Sequence, residues 1–239
     1  METSLAGRKA LIVGAYGGMG RAVAVGLARE GVVCALMGRS QERLSETAKA
    51  CAEAGTEAIP VVCDIAQTAT MEGAVRHAIE ALDGLNYLIN CAGVAERSKA
   101  DEGDLATWDR MLDVNLRATY HLARHALPVI NKSPGGAVIK IGSLRASYSG
   151  GGAFHATARA LDGYADALFE DVREYGTKVC TIEPGYVNTS MAASDRLDPA
   201  LMIQPEDIAR TVLFVLTMPD TACPTEIIIR PQRSPYLKT

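Results

Sequence analysis

Three glycines at one seam of the chain restrict its fold more than any other feature. The apolar run Ala10–Val13 leads into Gly14-Ala15-Tyr16-Gly17-Gly18-Met19-Gly20, and an amphipathic segment, Gly18–Glu30, begins inside that loop. Glycine at 14, 18 and 20 permits a tight turn and removes Cβ where the backbone must approach another group closely. It also leaves the first N–H groups of the following helix pointing outward, at the positive end of the helix dipole, where a pyrophosphate is favoured. A glycine turn alone says little. Here a strand precedes it, a helix follows and a second apolar run, Val32–Met37, comes next, which is the context a dinucleotide requires. Gly14, Gly18, Met19 and Gly20 are therefore candidate cofactor contacts.

The rest of the chain repeats this alternation. Further strand candidates are Ala58–Val62, Tyr87–Asn90, Ala137–Ile141, Lys178–Ile182 and Ile227–Arg230. Helical periodicity marks Gln41–Ala54, Met71–Leu82, Leu105–Ile130, Ala153–Tyr175 and Pro205–Thr217. The strand runs are mostly apolar rather than alternating, as burial on both faces demands. The expected fold is α/β: a Rossmann-type, doubly wound, seven-stranded parallel sheet flanked by helices, in a single domain over residues 1–239. The weakly periodic segment 189–203 reads either as a mobile flap over a site or as a surface helix with nothing to cover.

The end of the second strand reads the ribose. An acidic residue there would accept from the adenosine ribose hydroxyls and favour NAD(H). This chain has Gly38 and then Arg39, whose guanidinium suits a 2′-phosphate. NADP(H) is favoured, and NAD(H) stays open.

Charge and cysteine usage exclude other classes. The formal net charge is −4, which gives no basic footprint for nucleic acid or a membrane surface. No apolar run reaches the ~18 residues of a membrane span. The six cysteines are scattered without a C-x-x-C pair and read as buried thiols, so no metal site is expected and a reducing cytoplasm fits. His121 and His125 share a helix face but lack the intervening Glu and a third ligand of a zinc site.

The ordered motifs together resemble the short-chain dehydrogenase/reductase family over nearly the whole chain. Gly14, Gly18 and Gly20 match its G-x-x-x-G-x-G loop, with Val13 in place of the usual Thr. Asp64 resembles the Asp that contacts adenine, and Asn90-Cys91-Ala92-Gly93 resembles the N-x-A-G turn, which puts Asn90, Ala92 and Gly93 against the cofactor. Asn115 matches the Asn at the bend of the long helix, and Ser143 the catalytic Ser after strand five. Pro184-Gly185-Tyr186-Val187-Asn188-Thr189 resembles the segment that holds the nicotinamide, through Pro184, Gly185, Val187 and Thr189. The resemblance implies hydride transfer between NADP(H) and a small-molecule carbonyl or alcohol, and a homodimer or homotetramer built on the 105–130 and 153–175 helices.

The same resemblance exposes a defect. The family's chemistry rests on Tyr-x-x-x-Lys, spaced to share one helix face: the Lys lowers the Tyr pKa and binds the ribose, and the Tyr exchanges the carbonyl proton. No Tyr in this chain has Lys four residues later. Counting back from Leu161-Asp162-Gly163-Tyr164 and Pro184-Gly185 without a gap places Phe154 at the Tyr position and Ala158 at the Lys position. The alternative pair, His155 and Arg159, needs a one-residue deletion within the helix, which would turn the following face by ~100°. Phe lacks an ionisable proton and Ala lacks a charge.

The leading expectation is an NADP(H)-dependent oxidoreductase scaffold that is catalytically inactivated, with Ser143 orienting the oxygen and Asn115 supporting a proton relay. Whether the two replacements are made or natural stays open. A natural cofactor-binding protein with a regulatory or scaffolding role is the second reading. A non-redox enzyme on the same fold, such as a halohydrin dehalogenase, is the third and the weakest, because it would replace the glycine loop and keep the Tyr. Leu144, Tyr148, Tyr186 and Met191 are the candidate walls of a moderately apolar substrate pocket.

Overall fold

The seven apolar runs form the strands of one sheet: the five inner runs are buried on both faces, and the two edge runs leave Val62 and Ile228 half exposed. In the computed structural model, which describes residues 4–144 and 151–237, these are β1 (Lys9–Val13), β2 (Val33–Gly38), β3 (Ala58–Val62), β4 (Tyr87–Asn90), β5 (Ala137–Ile141), β6 (Lys178–Pro184) and β7 (Glu226–Ile229). They pair in the order β3-β2-β1-β4-β5-β6-β7, and every pairing is parallel. The doubly wound seven-stranded sheet expected from the sequence is present. Strand order reverses between β1 and β4, and a crevice opens at the carboxyl ends of the strands there.

Helices cover both faces. On one lie α1 (Gly18–Arg29), α2 (Gln41–Ala54) and α7 (Pro205–Thr217), packing Val23, Leu27, Leu44, Ile208 and Val212 against Ile12, Leu36 and Ile182. On the other lie α3 (Thr68–Leu82), α4 (Leu105–Met111), α5 (Ala118–Ile130) and α6 (Gly152–Val172), whose Met71, Val75, Leu122 and Leu168 meet Leu11, Met37, Leu88 and Val138. Two apolar layers thus clamp the sheet, and the hydrophobic effect fixes its depth in the molecule.

Two elements differ from the sequence expectation. The segment 105–130 is not one regular helix: a π-helical stretch, Leu112–Arg117, joins α4 to α5. The extra residue in such a turn re-aims the side chains it carries, among them Asn115. The other helix stops at Val172 and tightens into a 3-10 turn, Arg173–Tyr175, ended by Gly176 at φ 72. Among the described residues no helix is long and apolar enough to cross a membrane. All six cysteines are unpaired thiols.

Candidate active site

The glycine loop crosses the crevice at close range. Gly14 adopts φ 75, and a Cβ there would stand 2.9 Å from the Ala92 backbone, so only glycine lets the two turns after β1 and β4 meet. A Cβ on Gly18 would stand 2.6 Å from Cγ2 of Thr189, which brings the segment after β6 against the start of α1. The N-cap of α1, Gly17, offers no side-chain hydrogen bond to the first turn. Its leading N–H groups therefore face the crevice uncapped, a donor set that fits a pyrophosphate.

At the far end of the loop, Arg39 is exposed just beyond β2. Arg43, one turn into α2, lies over the Tyr16 ring at 4.4 Å from its centroid and donates to the Tyr16 carbonyl at 3.3 Å. Asp64 follows β3 and accepts from the Ala66 N–H at 3.1 Å, which fixes the turn toward α3.

The turn after β4 is held by amides. Asn90 donates to Thr119 Oγ1 at 3.1 Å and accepts from the Ala92 N–H at 3.0 Å. Asn115, 4 % exposed, grips Val94 on both sides: its Oδ1 accepts from the Val94 N–H, and its Nδ2 donates to the Val94 carbonyl, each at 2.9 Å. The same Nδ2 donates to Thr157 Oγ1 at 3.2 Å, and that hydroxyl donates to the Phe154 carbonyl at 2.7 Å. The carboxamide thus ties the π-helical turn, the β4 turn and α6 together. Both of its N–H donors are used in doing so.

A cavity of about 790 Å³ lies over β4, β5 and β6. Ser143 and Leu144 enter from β5, Gly93 from β4 and Met19 from α1. Pro184, Gly185, Tyr186, Val187 and Thr189 form one wall, and the exposed Met191 stands at its edge. The cavity-facing stripe of α6 is Phe154, Thr157, Ala158 and Leu161, with helical spacing; neither His155 nor Arg159 lines it, and Arg159 is exposed. Tyr148 lies outside the described residues. The stretch 189–203 is turns and bends with a short 3-10 helix, Pro199–Leu201, pinned by the Val187–Ile203 and Leu197–Tyr236 bridges. The sequence alternatives for it were a flap or a surface helix, and its residues border the cavity.

One buried cation stands in this cavity. Lys140, on β5, is 7 % exposed and donates to the Ala92 carbonyl at 2.6 Å. Burial pulls its pKa down to about 8, partly offset by the neighbouring Cys91. Burial pushes the Cys91 thiol up to about 12, so it stays protonated at neutral pH.

The short chain dehydrogenase model matches residues 8–200. This chain belongs to that family. As a short-chain dehydrogenase it is 30 % identical to an uncharacterized oxidoreductase of Staphylococcus aureus (strain MRSA252), over 96 % of this chain and 99 % of the relative. It is similar in structure to a short chain dehydrogenase from Burkholderia cenocepacia J2315 in complex with NADP: TM-score 0.88, 28 % identity, covering 96 % of this chain and 98 % of the other. A metagenomic short-chain oxidoreductase in complex with NADP gives a TM-score of 0.85 at 27 % identity, covering 97 % and 100 %. These relationships make the short-chain dehydrogenase an oxidoreductase by family.

Sequence reasoning about this dehydrogenase missed Lys140, Tyr16 and Arg43. Lys140 was hidden because one charge in a strand-like run gives no sign of which way it points. Arg43 was signalled by its i, i+4 spacing from Arg39 at the start of a helix. Tyr16 sits between the motif's glycines, where spacing gives no sign of a side-chain role.

Proposed function

We propose that this chain binds NADP(H) and takes a small carbonyl or alcohol into the cavity, as an oxidoreductase scaffold whose proton-transfer step is strongly impaired. One observation carries this reading: the face that α6 turns to the cavity presents Phe154 and Ala158, neither of which can exchange a proton or carry charge. The uncapped start of α1 and the close-packed glycines fit the cofactor's pyrophosphate, with Asp64 and the turn of Asn90, Ala92 and Gly93 beside it. Arg39 beyond β2 and the absence of an acid at Gly38 favour the 2′-phosphorylated form. NAD(H) is the weaker alternative. When bound, the dinucleotide supplies or accepts hydride. Ser143 holds the substrate oxygen, and Asn115 keeps α6 and the β4 turn in place. Leu144, Tyr186 and Met191 form the substrate walls, and the stretch 189–203 acts as the flap over them.

The test is restoration. Phe154→Tyr with Ala158→Lys should raise NADPH-dependent turnover of aldehydes and ketones by ~10²–10⁴-fold, the usual worth of a positioned acid. If no carbonyl or alcohol in a broad panel is turned over by the restored chain, the oxidoreductase reading fails.

A cofactor-binding regulatory protein is the second reading, favoured by the retention of a complete glycine cradle beside a helix face with neither a Tyr nor a Lys on it. The chain assembles as a homodimer or homotetramer through α4, α5 and α6, supported by the exposed Leu105 on α4, Leu112 on the π-helical turn and Tyr120 on α5. Six free thiols suit a reducing cytoplasm.

A further inference from the structure

Four arginines from three separate stretches of chain line the mouth of the cavity: Arg97 after β4, Arg196 in the stretch after β6, and Arg230 and Arg233 after β7. All four are exposed. Among the described lining residues the carboxylates are Asp162 and Glu183, and Glu183 is buried at the carboxyl end of β6. With Lys140 counted, the described lining residues carry a net charge of +3, in a chain whose net charge is −4. That inversion of sign is local.

The cations are gathered by backbone pairing. Leu237 N–H donates to the Arg196 carbonyl at 2.9 Å, and Asp198 N–H donates to the Pro235 carbonyl at 2.8 Å, so the stretch after β6 is stitched to the stretch after β7. Between them sit two phenols. The hydroxyls of Tyr186 and Tyr236 are 2.6 Å apart, with their rings edge to face at 5.6 Å. The charge of Arg97 acts on the Tyr186 hydroxyl, and the charges of Arg97 and Arg196 both act on Tyr236. Like charges brought together repel unless an anion joins them, and guanidinium groups bind carboxylate and phosphate oxygens through paired N–H donors.

We propose that this mouth is an anion subsite, so that the small molecule held in the cavity carries a carboxylate or phosphate group. Arg97 and Arg196 clamp that group beside the Tyr186–Tyr236 pair, and Arg230 and Arg233 add to the attracting field. The reactive carbonyl or hydroxyl then lies toward Ser143. The assignment of a reactive oxygen rests on the oxidoreductase reading above; the anion subsite does not.

Calorimetric titration of the NADP⁺-loaded chain tests the subsite. The probes are two matched pairs: 4-formylbenzoate against its methyl ester, and glyceraldehyde 3-phosphate against glyceraldehyde. The anionic member of one pair should bind about tenfold tighter or more, the pair that responds telling carboxylate from phosphate. Arg97→Gln with Arg196→Gln should abolish that margin without lowering the melting temperature. Equal affinity within both pairs, no binding of either anion, or a margin that survives the double substitution overturns the subsite. Turnover of the neutral aldehydes by the Phe154→Tyr, Ala158→Lys chain is read separately. Anion binding without turnover leaves the subsite standing and the oxidoreductase reading lost, and turnover without anion preference does the reverse.

Lys140 carries an independent inference. Its ammonium has three N–H donors. The Ala92 carbonyl takes one, and the group is buried at the cavity wall. In the sheet it is level with Asn90 on β4 and Thr181 on β6, and Ala158 of α6 leaves the same cavity without a long side chain above the strands. A buried ammonium with donors to spare calls for an acceptor from a ligand. We infer that Lys140 donates to the bound dinucleotide, giving from β5 the positive charge that α6 does not offer. Lys140→Met should weaken NADPH binding, followed by nicotinamide fluorescence, by about tenfold. Adding Ala158→Lys to that variant should recover most of the loss, whereas a merely structural role for Lys140 gives no recovery. Unchanged affinity in Lys140→Met, or a loss that Ala158→Lys does not relieve in a variant that still melts cooperatively, overturns the assignment.

Discussion

The ring of Tyr16 lies against Gly38: a Cβ on that glycine would stand 2.5 Å from Cε1 of the tyrosine. The space where an acidic side chain would select an unphosphorylated ribose is therefore filled by an aromatic ring, which Arg43 covers in turn. Gly38→Asp should cost stability, by about 1–3 kcal/mol for overpacking, and should not by itself create NAD(H) binding. Gly38→Asp with Tyr16→Ser should regain that stability and shift preference toward NAD(H). Denaturant unfolding and paired cofactor titrations measure both.

Arg39 and Arg43 should separate in their effects. Arg39→Gln is expected to weaken NADPH binding about tenfold and to leave NADH binding nearly unchanged, because only the phosphorylated ribose offers it a charge. Arg43→Gln removes the cover from Tyr16 as well and should weaken both cofactors. Equilibrium titration of both reduced cofactors with both variants reads the difference.

The Asn115 carboxamide joins three pieces of chain through buried hydrogen bonds to Val94 and Thr157. Asn115→Leu leaves those partners unsatisfied and should destabilise the protein by about 2–4 kcal/mol. Thr157→Val removes one link and should cost about 1 kcal/mol. Chemical denaturation gives both values.

Stability should depend on alkaline pH in two opposed ways. Lys140 has its folded pKa depressed to about 8 from 10.5, so the unfolded chain binds more protons between these values. Stability owed to this group therefore rises with pH across that window, and below it the folded state bears the full cost of burying the cation. The thiols act oppositely. Cys51, Cys91 and Cys180 are raised by burial from 9.0 to about 11, 12 and 12, so stability falls as pH rises past 9 and the unfolded thiols ionise. Comparing melting temperatures of the parent and Lys140→Met from pH 7 to 10 isolates the lysine: the variant's advantage should be largest at pH 7 and shrink upward.

Assembly makes a further prediction. Leu112 and Tyr120 are exposed on the π-helical turn and α5. If the proposed dimer or tetramer forms through this face, the parent chain elutes as an oligomer in size-exclusion chromatography with light scattering and Leu112→Glu with Tyr120→Glu elutes as a monomer, while the far-UV spectrum stays unchanged.

Strand and helix positions were legible because burial writes itself into periodicity. Ala58–Val62, Tyr87–Asn90 and Gln41–Ala54 have the bounds that their apolar patterns suggest. The π-helical turn was not legible, since Leu112–Arg117 has no composition that separates it from the helix on either side. The register of the α6 stripe was legible only through the landmarks of the family resemblance, since His155 and Arg159 have the same spacing; Phe154 and Ala158 line the cavity while His155 does not. The arginine mouth could not. Its members lie far apart in sequence, and only the pairing of the stretch after β6 with the stretch after β7 brings them together. Lys140 was concealed for a related reason: the direction of a strand residue depends on which neighbours cover each face.

That stitched mouth has a consequence for biosynthesis. The cavity uses Met19 on one side and Tyr236 on the other, so a chain emerging from the ribosome holds no complete binding site until its last strand has docked. A molecule that needs the mouth can then reward only the finished fold, and a nascent chain stalled before β7 would gain nothing from it.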